Sequence, residues 1–210
     1  MFFFLQQGRK SKKLRMENRF VFLFVFFTHF ASAQTTQRIN FDVYLLGKKI
    51  GTTIVEKTTR PDGFIEYRLS NNTEAKVLMI NKKSEIYSTS VFKDGVMYNS
   101  FCRYQNEQKK QSTIFVKNGD GYDATIDEQK VKIRRNINYT SIMLYFQEPQ
   151  VFSNIFSERL GSFFSLEKVS SHEYVSVVNG ATSYYRYTDG KLTELEISKP
   201  LGSVYLRLVQ

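Results

Sequence analysis

An Asp-Gly or Asn-Gly pair recurs at Asp62-Gly63, Asp94-Gly95, Asn118-Gly119, Asp120-Gly121, Asn179-Gly180 and Asp189-Gly190, set among stretches in which apolar and polar residues alternate. Such pairs accept the positive φ angles of a tight turn, so they commit their flanks to antiparallel hairpins. In the first hairpin Ile39, Phe41, Val43 and Leu45 alternate with polar neighbours, Gly47-Lys48-Lys49 turns, and residues 50–57 return. Residues 64–80 read as one long strand, or as two with a bend near Asn71-Asn72. Strands are expected at 84–92, 96–106, 111–117, 122–126 and 130–135, and again at 163–168, 172–178, 181–188, 191–198 and 203–209. This many strands in one domain must curl, because a flat open sheet would leave an apolar face in water. The expected fold is all-β, a strongly curved antiparallel meander or partly closed β-barrel with a short apolar helical insert.

That insert is the stretch Tyr139-Thr140-Ser141-Ile142-Met143-Leu144-Tyr145-Phe146-Gln147-Glu148-Pro149. Ile142, Tyr145 and Phe146 fall at helical spacing, a Thr140 or Ser141 hydroxyl is placed to cap the first N–H groups, and Pro149 stops the run. A helix this short is unstable alone, so tertiary contacts must hold it. Two roles follow. As a lid, it turns Met143, Tyr145 and Phe146 toward a hydrophobic ligand; as a plug, it makes the same residues core. Just beyond it, residues 153–161 read as one helical turn ended by Gly161.

The N-terminus is expected to be a targeting segment. A basic stretch from Met16, an aromatic-rich apolar run over 20–30 and Ala31-Ser32-Ala33 have the layout of a secretory signal peptide, with Met16 the expected start and cleavage after Ala33. The run is too short for a transmembrane helix by the ~20-residue criterion. Residues 1–33 are thus extension and signal peptide, and 34–210 a single β-rich domain. The formal charge of +10 falls to +5 without residues 1–33, and the remaining bases occur as scattered pairs such as Lys82-Lys83, so no nucleic-acid partner is expected. Cys102 is the lone cysteine and lies far from the cleavage site, so the product is expected to be soluble, exported to the periplasm or outside the cell, and not a lipoprotein.

An Ile-x-Phe-x-Val start leading to Gly51, the break at 141–149, Phe156-Ser157-Glu158-x-Leu160-Gly161 and the hairpin Tyr187-Thr188-Asp189-Gly190-Lys191-Leu192 together resemble a family of exported Bacteroidota proteins of unknown function. More distantly the layout is similar to curved-sheet envelope proteins that include lipoprotein carriers. The resemblance covers nearly the whole exported part. It implies a curved sheet in the cell envelope, and no catalytic residues.

Chemistry-bearing patterns are sparse. His172 follows Ser170-Ser171 and precedes Glu173, with no nucleophile-elbow or metalloprotease motif around it. One histidine and one cysteine after residue 33 do not make a metal set, no cofactor is expected, and Asn118–Asp123 lacks the later glutamate of a calcium loop. The pairs Asp127-Glu128 and Glu194/Glu196 belong on a turn and on a solvent face. Period-two spacing puts Cys102 on one strand face with Val96, Tyr98 and Tyr104, as a small buried thiol. Abundant Tyr and Phe on strands fit strand propensity, and also fit a concave face that holds an apolar molecule. The expected function is therefore non-catalytic: binding or carrying a lipid or other hydrophobic small molecule, or, with a filled core, contacting other envelope proteins.

Overall fold

The computed structural model describes residues 33–77, 80–151, 153–198 and 202–209. The expected signal peptide, apart from Ala33, lies outside them. Among the described residues fifteen strands are present: β1 Thr35–Leu45, β2 Lys48–Thr59, β3 Ile65–Val77, β4 Ile80–Lys93, β5 Val96–Asn106, β6 Lys110–Asn118, β7 Gly121–Ile126, β8 Gln129–Ile133, β9 Asn154–Ser157, β10 Ser162–Ser165, β11 Glu167–Ser170, β12 Glu173–Val178, β13 Ala181–Thr188, β14 Lys191–Ser198 and β15 Val204–Leu208. A 3-10 helix spans Ser141–Tyr145.

Thirteen strands form one antiparallel sheet in the order β11-β12-β13-β14-β15-β1-β2-β3-β4-β5-β6-β7-β8, and β9 pairs with β10 in a separate ribbon. Two meanders, β1 to β8 and β11 to β15, are thus joined by a seam between β1 and β15 that runs from Phe41 opposite Leu208 to Leu45 opposite Val204. The sheet does not close, and β8 and β11 are its edges.

The turns follow the dipeptides. Asp94, Asn179 and Asp189 have φ of 51°, 51° and 50°, and the glycine after each has a positive φ as well, the two-residue pattern that matches strand twist. Leu46-Gly47 does the same at 49° and 76°, with Leu45 opposite Lys48. The first turn therefore lies one residue earlier than expected.

Three sequence expectations are corrected. Residues 153–161 hold strand β9 in their first half, and the one turn ended by Gly161 is confined to the second, where the Gly161 N–H bonds the Ser157 carbonyl at 2.8 Å with Gly161 at φ 66°. Ile155 and Phe156 are both fully buried because the ribbon has sheet on one side and the insert on the other, which erases the period-two signature. Residues 163–168 divide between β10 and β11, which belong to different sheets; buried Leu166 lies between them and donates its N–H to the Ser153 carbonyl at 2.8 Å. Finally, Tyr98 does not share a face with Cys102. The β4–β5 register slips between Val91 and Phe92, which leaves Tyr98 unpaired in a bulge, 51% exposed, while Cys102 faces the core at 2%.

One face of the sheet is charged and the other apolar. On the outer face Arg186 bonds Glu173, Glu194 and Glu196, and Arg207 bonds Glu194. Inward, Phe41, Tyr67, Phe115, Tyr174, Tyr187 and Leu206, drawn from strands across the sheet, belong to one core with Ile137 and the insert residues Ile142 and Leu144. Curvature follows from the ribbon. Phe156 of β9 meets Phe115 of β6 edge to face at 5.1 Å, while β10 packs against β12. β6 and β12 are nine strands apart in the order, roughly 43 Å if the sheet were flat. Two short strands cannot bridge that, so the sheet wraps around them.

Candidate functional site

The interior of this curl is occupied by the insert and the residues that lead into it, where three tyrosine hydroxyls bond main-chain groups. Tyr187 Oη donates to the Leu144 carbonyl at 3.0 Å and Tyr139 Oη to that of Gln147 at 3.0 Å. Tyr122 Oη donates to the Met97 carbonyl at 2.7 Å and accepts from the Ile137 N–H at 3.3 Å. Each hydroxyl satisfies a main-chain group that a short, irregular segment cannot satisfy internally. Burial pushes all three phenols up, so they stay neutral donors.

The helix is a single tight turn, with Met143 N–H to Thr140 O at 3.1 Å and Phe146 N–H to Met143 O at 3.0 Å. Side chains alternate along it: Ile142 and Leu144 are 1% exposed, Phe146 is 9% exposed, and Met143 and Tyr145 are half-buried. Of the three residues expected at a ligand, Phe146 sits in the core with its ring edge to face with Tyr67 at 5.6 Å. Tyr145 packs edge to face on Phe41 at 5.4 Å. Burial, with Tyr185 and Glu158 nearby, raises the Tyr145 phenol pKa.

Neither expected hydroxyl caps the helix. Thr140 makes no side-chain cap, and its fully buried Oγ1 has no hydrogen-bond partner. The cap comes from Glu158, which stands in the turn after β9 and is 2% exposed. Glu158 Oε1 accepts from the Ile142 N–H at 3.3 Å and from Ser90 Oγ at 3.3 Å, while Oε2 accepts from Ser141 Oγ. Thr113 Oγ1 donates to its main-chain carbonyl at 2.6 Å. A buried carboxylate needs such donors, and here three residues supply them, while Thr113 holds the Glu158 backbone. Sequence reading placed Glu158 in a motif but gave it no role; the signal was a lone acid next to the apolar Ile155-Phe156 pair.

Small polar side chains line the sheet beneath Glu158. Ser88, Ser90, Ser100, Cys102 and Thr113 are all buried and leave room for the carboxylate. Burial, then the nearby Glu158 charge, push the Cys102 thiol up to about 12. Such a thiol is not a nucleophile at neutral pH.

One inward row of the register crosses five strands: Phe41, Thr53, Asn71, Ile86 and Tyr104. Asn71 Nδ2 donates to Thr53 Oγ1 at 2.7 Å. Asn71, Ile86 and Tyr104 are half-buried, so this row is left partly uncovered. Tyr145 stands over its Phe41 end. Arg159 stands over the other, its guanidinium 4.8 Å from the centre of the Tyr104 ring.

The remaining candidates are structural in their contacts. His172 occupies a left-handed turn at φ 64°, and its Nδ1 lies 2.8 Å from Glu148 Oε2. Tyr174 Oη donates to Glu148 Oε1 at 2.7 Å. Burial would raise the pKa of this 3% exposed carboxylate, but the two hydrogen bonds and the His172 and Lys168 charges outweigh it, and the net shift is downward. These contacts tie the end of the insert to β12. Ser170 Oγ bonds Glu173 and the Ser171 carbonyl and not the imidazole. Asn118 to Asp123 carry the β6–β7 turn, beside a shallow cleft of about 270 Å³ whose lining includes Asp120, Tyr122, Lys132 and Arg134. Among the described residues no three His, Cys, Asp or Glu side chains gather as a metal set, and no helix is long and apolar enough to cross a membrane.

Compared with known proteins, residues 41–209 match the profile of a family described as a domain of unknown function, DUF6134. No curated protein and no solved structure matches the chain.

Proposed function

We propose, on the premise that the chain belongs to the DUF6134 family of domains of unknown function, that it is an exported, non-catalytic binder of a hydrophobic molecule, held on the inner face of its open sheet. The observation that carries this reading is the inward row whose members Asn71, Ile86 and Tyr104 are half-buried, with half-buried Tyr145 over its Phe41 end and half-buried Met143 two residues before it, which we read as a groove on the face opposite the outer ion pairs. Half-buried apolar and aromatic groups on a concave face are what a ligand site offers and what a finished core lacks. Met143 and Tyr145 are the contact residues in this proposal, and Phe146 is the support behind them. The signal-peptide layout before Gln34 and the resemblance to exported Bacteroidota envelope proteins support a periplasmic or extracellular place of work.

The test is native mass spectrometry of the full chain expressed in a bacterium and purified without delipidation, followed by organic extraction. The expected result is a protein peak carrying an extractable apolar molecule, with the first 33 residues removed. A second reading is favoured by the burial of Ile142, Leu144 and Phe146: the insert fills the sheet, and the protein is an interaction module of the envelope. A chain that carries nothing and takes up no long-chain alkane derivative supports that reading and removes the first.

A further inference from the structure

Arg159 is half-buried at the end of the groove and forms no ion pair among the described residues. The nearest acid in sequence, Glu158, already uses its oxygens on Ser90, Ser141 and the Ile142 N–H. Tyr104, which the guanidinium meets, and the inward residues around it in the β4–β5 register, Ile86, Ser88, Cys102 and Asn106, carry no charge at neutral pH. The guanidinium lies over the Tyr104 ring, 4.8 Å from its centre, and a guanidinium in such a cation–π contact keeps N–H donors that can pair with a planar anion. From Tyr104 the floor runs through Ile86, Asn71 and Thr53 to Phe41, four strand spacings or roughly 19 Å, and ends beneath Tyr145.

We infer that the groove takes a long-chain carboxylate, with the head group on the Arg159 N–H edge and the chain lying across β4 to β1 toward Tyr145. This inference rests on the binding function proposed above and adds the chemistry of the ligand. A single guanidinium with uncharged neighbours suits a monoanion; a phosphate dianion calls for a second cation that these residues do not supply. The apolar end is supplied by Tyr145 and Phe41, and by Leu69 in the adjoining inward row.

The experiment is isothermal titration of the full chain with hexadecanoate, hexadecanol and hexadecyl phosphate, each below its micellar range. Wild type is expected to bind hexadecanoate about ten-fold or more tightly than hexadecanol, the usual effect of one charge-assisted pair. Arg159→Gln should abolish that preference while leaving hexadecanol affinity unchanged, and Arg159→Lys should keep part of it. Equal wild-type affinity for hexadecanol and hexadecanoate overturns the carboxylate inference and leaves the hydrophobic-ligand reading standing. Tighter binding of hexadecyl phosphate than of hexadecanoate overturns the choice of head group. Failure of all three probes to bind removes both readings. Should Arg159→Gln not fold by circular dichroism, salt dependence of the wild-type preference replaces it: the preference must weaken with added salt, and a salt-independent one refutes an ionic contact.

Discussion

Removing the Glu158 carboxylate tests the central packing claim, that this buried acid holds the insert in place. In Glu158→Ala the Ile142 N–H and Ser141 Oγ lose their acceptor in a site that is 2% exposed. Ser90 suffers less, since Ser100 Oγ stands 3.0 Å away as an alternative partner. An orphaned buried N–H costs about 1–3 kcal/mol and a hydroxyl that can rotate costs about 1, so the variant should lose about 2–4 kcal/mol. That is a large part of the ~5–15 kcal/mol typical of a domain. Glu158→Gln keeps an acceptor for Ile142 and should lose about 1–2 kcal/mol. With no tryptophan in the chain, urea unfolding is best followed by far-UV circular dichroism. A Glu158→Ala midpoint within about 0.5 kcal/mol of wild type would refute the argument, because only a surface residue is expected to be so tolerant.

Four further outcomes are expected. Phe146→Ala should lose about 3–5 kcal/mol in the same assay, since the ring is 9% exposed and packs on Tyr67; an unchanged midpoint would place it outside the core. Leu46→Asn should stabilise by about 0.5–1 kcal/mol, because a 72% exposed leucine is held at φ 49° where asparagine is at ease, and any loss of stability counts against this. The folded-state pKa of Glu148 is depressed, so its contribution is full above the ordinary value of 4.5 and is lost as pH falls through the lowered value; Glu148→Gln should therefore be less stable at pH 7 and show a flatter stability profile below pH 4.5. Cys102 should resist thiol reagents at pH 8 in the native protein and react fully in urea, and rapid native labelling would contradict its burial.

Where side-chain period and turn chemistry agreed, the sequence was a good guide. β5, β13 and β14 begin and end where alternation and their Asp-Gly or Asn-Gly turns place them. The failures share a cause. β9 carries two adjacent buried residues because it is covered on both faces, so alternation had nothing to report. The bulge at Tyr98 reversed the facing of Val96 and Tyr98 relative to Cys102 through one unpaired residue, an event that spacing alone does not encode. The helix cap was sought locally, at Thr140 and Ser141, whereas the group that fills it is brought from Glu158 by the ribbon. Arg159 was passed over for a similar reason. Its standing depends on its forming no ion pair among the described residues while the adjacent Glu158 is engaged elsewhere, which is a property of the folded neighbourhood and not of a motif.

The seam between β1 and β15 gives the last residues a part in the timing of assembly. β1 has to wait for β15 before its second edge is paired, and no other ladder of the large sheet joins described residues so distant along the chain. Closing so long a loop is slow compared with zipping a local hairpin. Each meander can form its own ladders early, yet the two become one sheet only when the C-terminal strand arrives. A chain interrupted before Val204 would keep every turn signal and still leave β14 with a bare edge. The complete sheet is in this sense a record that β15 has been made.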